Sequence, residues 1–552
     1  MSGILELDYN LAELPSSQHR AGLAGLVLMV KWLDRLKKSD SKLTGISNLT
    51  RIDDHGATLQ IDQTGLQELF NETYAASKEE QGRDAVLKNK KKEVIPPLRE
   101  EQKTITDPKT GKSKEKTVYI YPVVVPRGAF LAAYDPSAMD DKGVWIKLWR
   151  DMIWGILRGV PATRRPFDER SEGEFTEDAD KVWRDLERPA DYTVDLPSTY
   201  FIGAQASNAE NVPFKDRARF QFLLHFWAFV AQVYVPARLI YDNKAKQTKT
   251  EFAGYALTIP DVANLKDFCD ELPSVLQNNR SVAMAGYRPR ESVIDLAAEG
   301  ALDLMNKLNQ RLAAESGNQS VSDLLLGVDV VHLEKQGNNI RLWGTARIDA
   351  TRSMIDEYAR VKGMFRDAFF RRQRLLNMLN EREWFSGFGS LLSTTTSEQT
   401  IGSRFFRADV RTAFDDSLRN HQSTEGEIDK VDTDASTQTA NQSSVVDLIY
   451  RLVGTYITAK MNSKHGLEWK KVLKGTQAER DDYNKKSAKI ARDAFLSVRS
   501  RTGEDFVEYF VSTLCSFPQF LNEEGYATIA QALHTDTDNV RTLTLLALSA
   551  RG

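Results

Sequence analysis

One change of pattern near residue 350 constrains the fold of this chain more than any other feature. Before it, three turn sequences separate β-favouring runs, at residues 53–56, 107–112 and 337–338. The Asp, Asn, Pro and Gly residues at these positions are typical of β-hairpin turns. After Asp349, apolar residues recur at helical spacing along most of the chain. The sequence therefore predicts an α+β N-terminal part with several β-hairpins and helices, and an all-α helical bundle as the C-terminal part.

The chain length and this change of pattern together predict two domains. At 552 residues the chain exceeds the size at which a single hydrophobic core keeps growing. We expect an α+β domain at residues 1–350, which includes a basic hairpin at 88–125, and a helical bundle at 351–552. Within the bundle, the stretch HQSTEGEIDKVDTDASTQTANQSS is nearly free of large apolar residues. It predicts a polar linker at 420–445.

The segment RFQFLLHFWAFVAQVYVP, at residues 219–236, is a strongly aromatic apolar run. It predicts a buried helix that follows a polar, amide-rich loop. His225 lies in the middle of the run, and a histidine in such surroundings is typical of a hydrogen-bonded core residue rather than of a metal ligand.

Sequence motifs for catalysis or metal binding are not found in this chain. The seven histidines are scattered, and Cys269 and Cys515 are far apart and belong to no C-x-x-C pattern. We therefore expect no catalytic residue, no metal and no cofactor, so that the protein is not an enzyme. Because catalytic groups converge in space rather than in sequence, a nuclease with a non-sequential metal site stays open as an alternative. A protein-only scaffold is a second alternative.

The chain start and the cysteine usage indicate a cytoplasmic protein. The opening MSGILELDYN has no basic region followed by an apolar stretch, so it does not resemble a signal peptide. The apolar run from Ala21 to Val30 is interrupted by Lys31, well short of the roughly 20 residues that span a bilayer. We expect no membrane segment, and two isolated cysteines fit a reducing compartment.

Charge is segregated along the chain although the net charge is only −3. Residues 88–116 carry ten Lys and Arg against five acids, and residues 451–501 carry thirteen against five. Such segregation is typical of faces that meet phosphates, although a solvated lysine-rich loop or helix face would give the same pattern. The predicted contacts to a nucleic-acid backbone are Lys90, Lys91, Lys92, Lys109, Lys112, Lys114, Arg158, Arg164, Arg165, Lys215, Arg217, Arg219, Lys470, Lys471, Lys485, Lys486, Lys489 and Arg492.

An amide-rich loop at residues 201–221 offers groups that can read bases. It contains Gln205, Ser207, Asn208 and Asn211, whose amides and hydroxyls both donate and accept hydrogen bonds. Such groups distinguish base edges in duplex DNA, which lysine charge alone does not. The alternative is a capped loop in which Asn and Ser satisfy free backbone N–H groups. We predict that the four residues bind a DNA sequence motif.

Three features together resemble a known family. They are the opening LDYNLAELPSSQHRAGLAGLVLMV, the loop GAQASNAENVPF followed by RFQFLLHFW, and the basic helical C-terminal part. The combination resembles the large subunit of type I CRISPR Cascade surveillance complexes, in the Myxan or type I-B-like branch. The resemblance extends over essentially the whole chain.

The resemblance implies a non-catalytic, antiviral-defence subunit that binds the 5′ handle of the guide RNA and recognises the protospacer-adjacent motif in duplex DNA. It further implies that the subunit promotes strand opening, while guide pairing reads the target sequence in the R-loop. The C-terminal bundle would resemble the small subunit and hold the displaced strand. Implied partners are guide RNA, double-stranded target DNA and the displaced strand, other Cascade backbone subunits and small subunits, and a helicase-nuclease or transposition proteins.

Overall fold

The structure is a computed structural model in which two compact units are distinguished, Met1–Ile355 (unit 1) and Asp356–Gly552 (unit 2). Unit 1 combines small antiparallel sheets with helices, and the described part of unit 2 is helical, which confirms the predicted fold class. The residues that the structure describes are 3–89, 91–106, 113–136, 143–156, 161–196, 214–242, 247–284, 288–315, 319–336, 339–428, 445–517 and 521–552.

The strands all belong to unit 1 within this described part. They are β1 (Leu5–Asn10), β2 (Ser47–Ile52), β3 (Gly56–Ile61), β4 (Ala76–Arg83), β5 (Arg99–Thr106), β6 (Ser113–Pro126), β7 (Thr193–Asp195), β8 (Lys215–Arg217), β9 (Gln232–Asp242), β10 (Gln247–Phe252), β11 (Tyr255–Val262), β12 (Ala283–Met284), β13 (Arg288–Pro289), β14 (Val293–Ile294), β15 (Leu325–Gln336) and β16 (Asn339–Asp349).

The helices run through both units. In unit 1 they are α1 (Ser17–Lys37), α2 (Gln63–Thr73), α3 (Ala129–Tyr134), α4 (Val144–Gly155), α5 (Pro161–Glu172), α6 (Glu177–Leu186), α7 (Ala218–Leu223), α8 (Leu265–Asn278), α9 (Glu299–Glu315) and α10 (Val321–Leu324). From the unit boundary onward they are α11 (Arg352–Met364), α12 (Ala368–Leu379), α13 (Phe388–Thr394), α14 (Arg404–Ile428), α15 (Val445–His465), α16 (Trp469–Val472), α17 (Gln477–Arg499), α18 (Gly503–Tyr509), α19 (Glu523–Thr535) and α20 (Thr537–Arg551).

The largest sheet of unit 1 has the strand order β10-β9-β11-β15-β16, with β14 parallel to β9. Smaller antiparallel sheets have the orders β1-β3-β2 and β4-β6-β5, and β7 pairs with β8. The three predicted hairpins correspond to β2–β3, β5–β6 and β15–β16, and all three are confirmed as antiparallel pairs. The turns at residues 107–112 and 337–338 lie outside the described residues.

Helix α1 is buried along most of its length in unit 1 and begins at the N-cap Ser16. Gly22 and Gly25 allow it to lie directly against the end of α7 and the aromatic segment that follows. A Cβ atom at Gly25 would stand 2.2 Å from the carbonyl oxygen of Phe226, and one at Gly22 would stand 2.5 Å from that of Leu223. Only glycine permits so close an approach of two backbones.

The prediction of one buried aromatic helix at residues 219–236 is wrong for most of this segment. Helix α7 ends at Leu223, and the chain enters strand β9 at Gln232. Val233 and Tyr234 pair with β11, because a buried central strand is as continuously apolar as a buried helix. His225 is confirmed as a core histidine: its Nδ1 lies 2.5 Å from the Tyr74 hydroxyl, and desolvation lowers its pKa to about 3.

Unit 2 is organised around α20, its last helix. Leu545, Leu546 and Leu548 are fully buried, and every residue from Val540 to Ala550 is buried. A helix that is buried all round is packed on several sides. Two of its buried polar side chains donate to backbone carbonyl groups: the Thr544 hydroxyl to that of Val540 at 2.7 Å, within the helix, and Arg541 to that of Arg501 at 2.6 Å, outside it.

The predicted polar linker at 420–445 overlaps the end of helix α14. Helix α14 continues to Ile428, so residues 420–428 are helical. Residues 429–444 lie outside the described part of the chain, and α15 begins at Val445. A polar sequence extends a helix when the preceding turns are already packed, because propagation adds one hydrogen bond for each residue fixed.

Candidate nucleic-acid interface

The lysine-rich segment before β5 forms a tight turn in unit 1. The Asn89 side chain accepts a hydrogen bond from the backbone N–H of Lys91 at 2.9 Å. Lys92 has a φ of 65°, in the left-handed region that L residues other than Asn and Asp seldom adopt. Both lysines are exposed, so the turn presents two ammonium groups to solvent. Lys90 lies outside the described residues.

The β5–β6 hairpin is basic in sequence, but its described cations are largely neutralised. Arg99 donates to Glu80 at 2.7 Å and to Glu101 at 2.8 Å, and these carboxylates raise its pKa above the usual value. Lys116 lies 2.7 Å from Asp84. The strands therefore supply much of their own counter-charge. Lys109 and Lys112 lie outside the described residues, as does the side chain of Lys114.

Helix α5 carries two of the predicted arginines. Arg165 pairs with Glu177 at 2.8 Å and with Glu169 at 3.4 Å. The Arg164 guanidinium instead stacks on Trp154, 4.8 Å from the ring centroid. Arg164 is thus the better placed of the two to contact a phosphate, since a cation–π contact leaves its N–H donors available. Arg158 lies outside the described residues.

The predicted base-reading loop is flanked by strands β7 and β8, which pair with each other. Leu196 N–H donates to the carbonyl oxygen of Phe214 at 2.8 Å, which closes the base of the loop. The side chain of Asp216, in β8, lies 2.8 Å from Nε2 of His19 in α1, so the loop base is tied to a buried helix. The predicted readout residues lie outside the described residues: Gln205, Ser207, Asn208 and Asn211.

The three predicted cations after this loop differ in exposure. Lys215 and Arg217 are exposed on either side of Asp216, as alternation along a strand requires. The Arg217 guanidinium lies 5.2 Å from the ring centroid of Phe220. Arg219 is half-buried, and its enclosed Nε has no hydrogen-bond partner among the described residues. Lys215 and Arg217 are therefore the accessible members of this set.

The predicted basic face of unit 2 lies on α16 and α17. Lys485, Lys489 and Arg492 are exposed and are spaced by four and three residues along α17, so they share one helix face. Lys486 differs from them because it pairs with Asp482 at 2.6 Å. On α16, Lys470 and Lys471 are exposed, and Lys471 lies 2.9 Å from Glu468.

An arginine cluster, which sequence reasoning missed, adds to this face. It consists of Arg404, Arg407 and Arg411 on α14 together with Arg492 on α17. The charges acting on Arg407 are those of Arg411, Arg492 and Arg404, and partial burial followed by their repulsion lowers its pKa. Arg407 donates to the carbonyl oxygen of Ile401 at 2.9 Å, which holds its guanidinium among these like charges.

The position of the cluster at the N-terminus of α14 lowers the stability of the fold. Arg404 is the first residue of α14, and Arg407 follows one turn later. Cations near a helix N-terminus face the positive end of the helix dipole, which costs about 0.3–1 kcal/mol for each charge at low salt. The spacing of three and four residues was visible in RFFRADVR. The approach of Arg492 was not visible, because it comes from a different helix.

In the part of the chain that the structure describes, no cluster of three or more His, Cys, Asp or Glu side chains has a metal-binding arrangement. Within the same residues, none of the helices combines the length and apolar character that crossing a bilayer requires.

Comparison with protein-family models gives two matches that cover nearly the whole chain. Residues 46–318 match the N-terminal domain of type I-B CRISPR Cas8b, and residues 325–551 match the C-terminal domain of the same family. Among curated proteins, the sequence has no detectable relative.

Proposed function

We infer the function of this chain from its family, because it belongs to the Cas8b proteins, the large subunits of type I-B CRISPR complexes. We propose that it is a non-catalytic subunit of an RNA-guided DNA surveillance complex. In this role it binds the 5′ handle of the guide RNA, recognises the protospacer-adjacent motif in duplex DNA, promotes strand opening and holds the displaced strand. It works without a cofactor, in the cytoplasm.

The arginine cluster of unit 2 is the observation that carries this proposal. Burial and the charges of Arg411, Arg492 and Arg404 together lower the pKa of Arg407, and Arg404 is the first residue of a helix. Such an arrangement costs stability, whereas a phosphate strand would neutralise it and release counterions. The exposed side chains of Lys485 and Lys489 extend the same charge along α17. We assign this combined face to the backbone of the displaced strand.

Recognition of the adjacent motif is assigned to the amide-rich loop of unit 1. Asn208 and Asn211 would contact base edges, while Lys215 and Arg217 would contact the flanking phosphates. This division follows from chemistry, because amides discriminate base edges and cations position the backbone. The β7–β8 pair supports it by fixing the ends of the loop.

The Lys91–Lys92 turn is assigned to a phosphate backbone beside the motif. Its two exposed ammonium groups would clamp the duplex as point charges, and the remaining hairpin lysines would add to this contact. Other Cascade backbone subunits and small subunits, and a helicase-nuclease or transposition proteins, are the proposed protein partners.

Purification of the chain with its complex tests the proposed class. We expect a co-purified RNA of one short, uniform length, because a guide-binding complex selects a processed RNA. RNA of random length, or none, would contradict the proposal. Metal-dependent cleavage of labelled DNA by the pure chain would favour a nuclease instead.

Substitution in the readout loop tests the motif assignment. The double variant N208A/N211A should weaken binding to motif-bearing duplex by about tenfold or more, since each well-placed amide contact is worth about 1–3 kcal/mol. Assembly with guide RNA should be unchanged. Equal duplex binding by the variant and the wild type would remove these two residues from motif readout.

A further inference from the structure

A β-bulge in the largest sheet of unit 1 carries an unusual side chain. Strands β15 and β16 pair Leu333 with Leu342 and His332 with Gly344, so Trp343 has no partner across the ladder. Bulges of this kind redirect a side chain and recur beside functional sites. Gly344 next to it faces open space, since a Cβ there would meet no atom within 4 Å.

Trp343 is held in one orientation by the neighbouring strand. Its Nε1 donates to Glu334 at 2.8 Å. Its ring stacks with His332, with ring centroids 6.4 Å apart and an interplanar angle of 28°. His332 is fixed in turn by a 2.6 Å hydrogen bond from Nε2 to the carbonyl oxygen of Ala253. The indole is therefore a rigid, half-buried platform.

Two guanidinium groups lie on this platform and come from different hairpins. Cζ of Arg341, in β16, is 4.0 Å from the indole centroid, and Cζ of Arg238, in β9, is 4.5 Å from it. Neither arginine has an ion pair or hydrogen bond within the described residues. A cation–π contact orients a guanidinium without using its N–H groups. The N–H groups of both arginines therefore stay available to a ligand.

This arrangement differs from that of two other strand arginines of unit 1. Arg99 and Arg51 also lie on strands, but their donors are taken by Glu80 and Glu101 and by Asp8 and Asp53, respectively. Arg238 and Arg341 instead both contact one aromatic ring. Glu251 and Glu334 lie opposite them in the strand register, but neither forms an ion pair with the arginine across from it. A planar guanidinium with free donors matches a phosphate oxygen pair in bidentate geometry.

We propose that Arg238 and Arg341, stacked on Trp343, form a phosphate-binding site for a nucleic-acid strand. The inference rests on the proposed function, because a strand is expected at unit 1 only if the chain binds nucleic acid. The ligand chemistry is the phosphodiester backbone, which guide RNA and target DNA share. Trp343 acts as a positioning residue, since it orients the two guanidinium groups that contact the nucleic-acid strand.

Binding of the full-length chain to three labelled probes tests the site. The probes are a single-stranded RNA, a single-stranded DNA of the same sequence and the corresponding duplex, each titrated from low to high salt. The variant R238Q/R341Q should bind at least one probe about tenfold more weakly. Its log–log salt slope for a single strand should fall by about 1.4, because each phosphate contact contributes about 0.7. The probe that loses affinity identifies the strand.

Two further variants separate positioning from charge. W343A keeps both cations but removes their platform, so it should also weaken the same probe, whereas R238K/R341K keeps the charge and should restore only part of the affinity. The control R51Q/R99Q removes two cations whose donors are already taken, and it should change binding less than twofold. Circular dichroism and thermal unfolding establish that each variant is folded.

Each outcome decides a different question. If the wild type binds none of the probes, the proposed function fails and this site fails with it. If the wild type binds and R238Q/R341Q binds equally well, only this site is overturned. If R238Q/R341Q binds nucleic acid normally but loses a protein subunit of the complex, the two guanidinium groups bind a protein carboxylate instead, which also overturns the proposal.

Discussion

The β5–β6 hairpin of unit 1 and the arginine cluster of unit 2 have similar basic sequences but opposite electrostatic surroundings. In the hairpin, Arg99 pairs with Glu80 on the neighbouring strand β4, and Lys116 pairs with Asp84, the residue after β4. In the cluster, the charges acting on Arg407 are all arginines. The difference teaches that the number of basic residues in a segment does not measure the charge that a partner can use.

The architecture of each region explains this contrast. Neighbouring antiparallel strands bring residues distant in sequence face to face, and opposite charges at such pairs stabilise the sheet by roughly 0.2–1 kcal/mol each. A helix instead gathers residues three and four apart on one face, so Arg404, Arg407 and Arg411 share a face that a second helix then reinforces.

Buried carboxylates show the same contrast between the units. Asp261 of unit 1 is 2% exposed and pairs with both Arg20 and Arg347. Asp409 of unit 2 is 3% exposed, accepts hydrogen bonds only from the backbone N–H groups of Arg366 and Asp367 among the described residues, and has no ion pair there. Burial raises its pKa to about 6, and the Asp367 carboxylate contributes to the rise.

The largest expected effect is on the stability of unit 2. Because the folded pKa of Asp409 is raised from 3.8 to about 6, its contribution to stability is fully present below pH 3.8 and is lost as the pH rises through 6. This loss amounts to about 3 kcal/mol, at about 1.4 kcal/mol per pKa unit. D409N should therefore be more stable than the wild type at pH 8 and nearly equal at pH 4, measured by urea unfolding.

The matched control for this prediction is D261N in unit 1. It should lose stability at pH 8, because removing the carboxylate leaves two guanidinium groups facing each other. If D409N and D261N change stability in the same direction at pH 8, the contrast between the buried carboxylates is wrong.

The second largest effect is on binding. The variant R404Q/R407Q/R411Q should bind single-stranded DNA about 30-fold more weakly at physiological salt, since three uncompensated phosphate contacts are removed. Fluorescence anisotropy with the full-length chain measures this change. An unchanged affinity would remove the cluster from the nucleic-acid interface.

A smaller effect is expected on stability at the start of α14. R404Q removes a cation from the helix N-terminus and relieves repulsion of Arg407, so it should stabilise the chain by about 0.5 kcal/mol at low salt. The gain should shrink as salt screens the charges. A loss of stability in thermal unfolding would show that Arg404 has a structural role instead.

The smallest effect is expected in the hairpin. R99Q/K103Q/K116Q removes as many charges as the α14 variant, but Arg99 and Lys116 are held by carboxylates and Lys103 lies 4.0 Å from Glu101. DNA affinity should change less than twofold. A loss comparable to that of the α14 variant would show that these ion pairs open when nucleic acid binds.

The sequence predicted the parts of this molecule that depend on local chemistry. Turn residues located the three hairpins, and helical periodicity identified the helical C-terminal part. The prediction from sequence failed at β9, because Val233 and Tyr234 lie in an apolar run whose length fits a helix as well as a central strand. The sequence also could not show which charges are compensated. Arg99 and Glu80, and likewise Arg407 and Arg492, are far apart in sequence and are brought near each other only by folding.

The salt dependence of DNA binding tests the central claim most directly. For the wild type, R404Q/R407Q/R411Q and R99Q/K103Q/K116Q, log affinity for one single-stranded DNA is plotted against log salt. Each lost phosphate contact lowers the slope by about 0.7. We predict that the α14 variant loses about 2 from the slope and that the hairpin variant keeps the wild-type slope. Equal slopes for the two variants would contradict the claim that compensation, rather than the number of cations, determines where this chain binds nucleic acid.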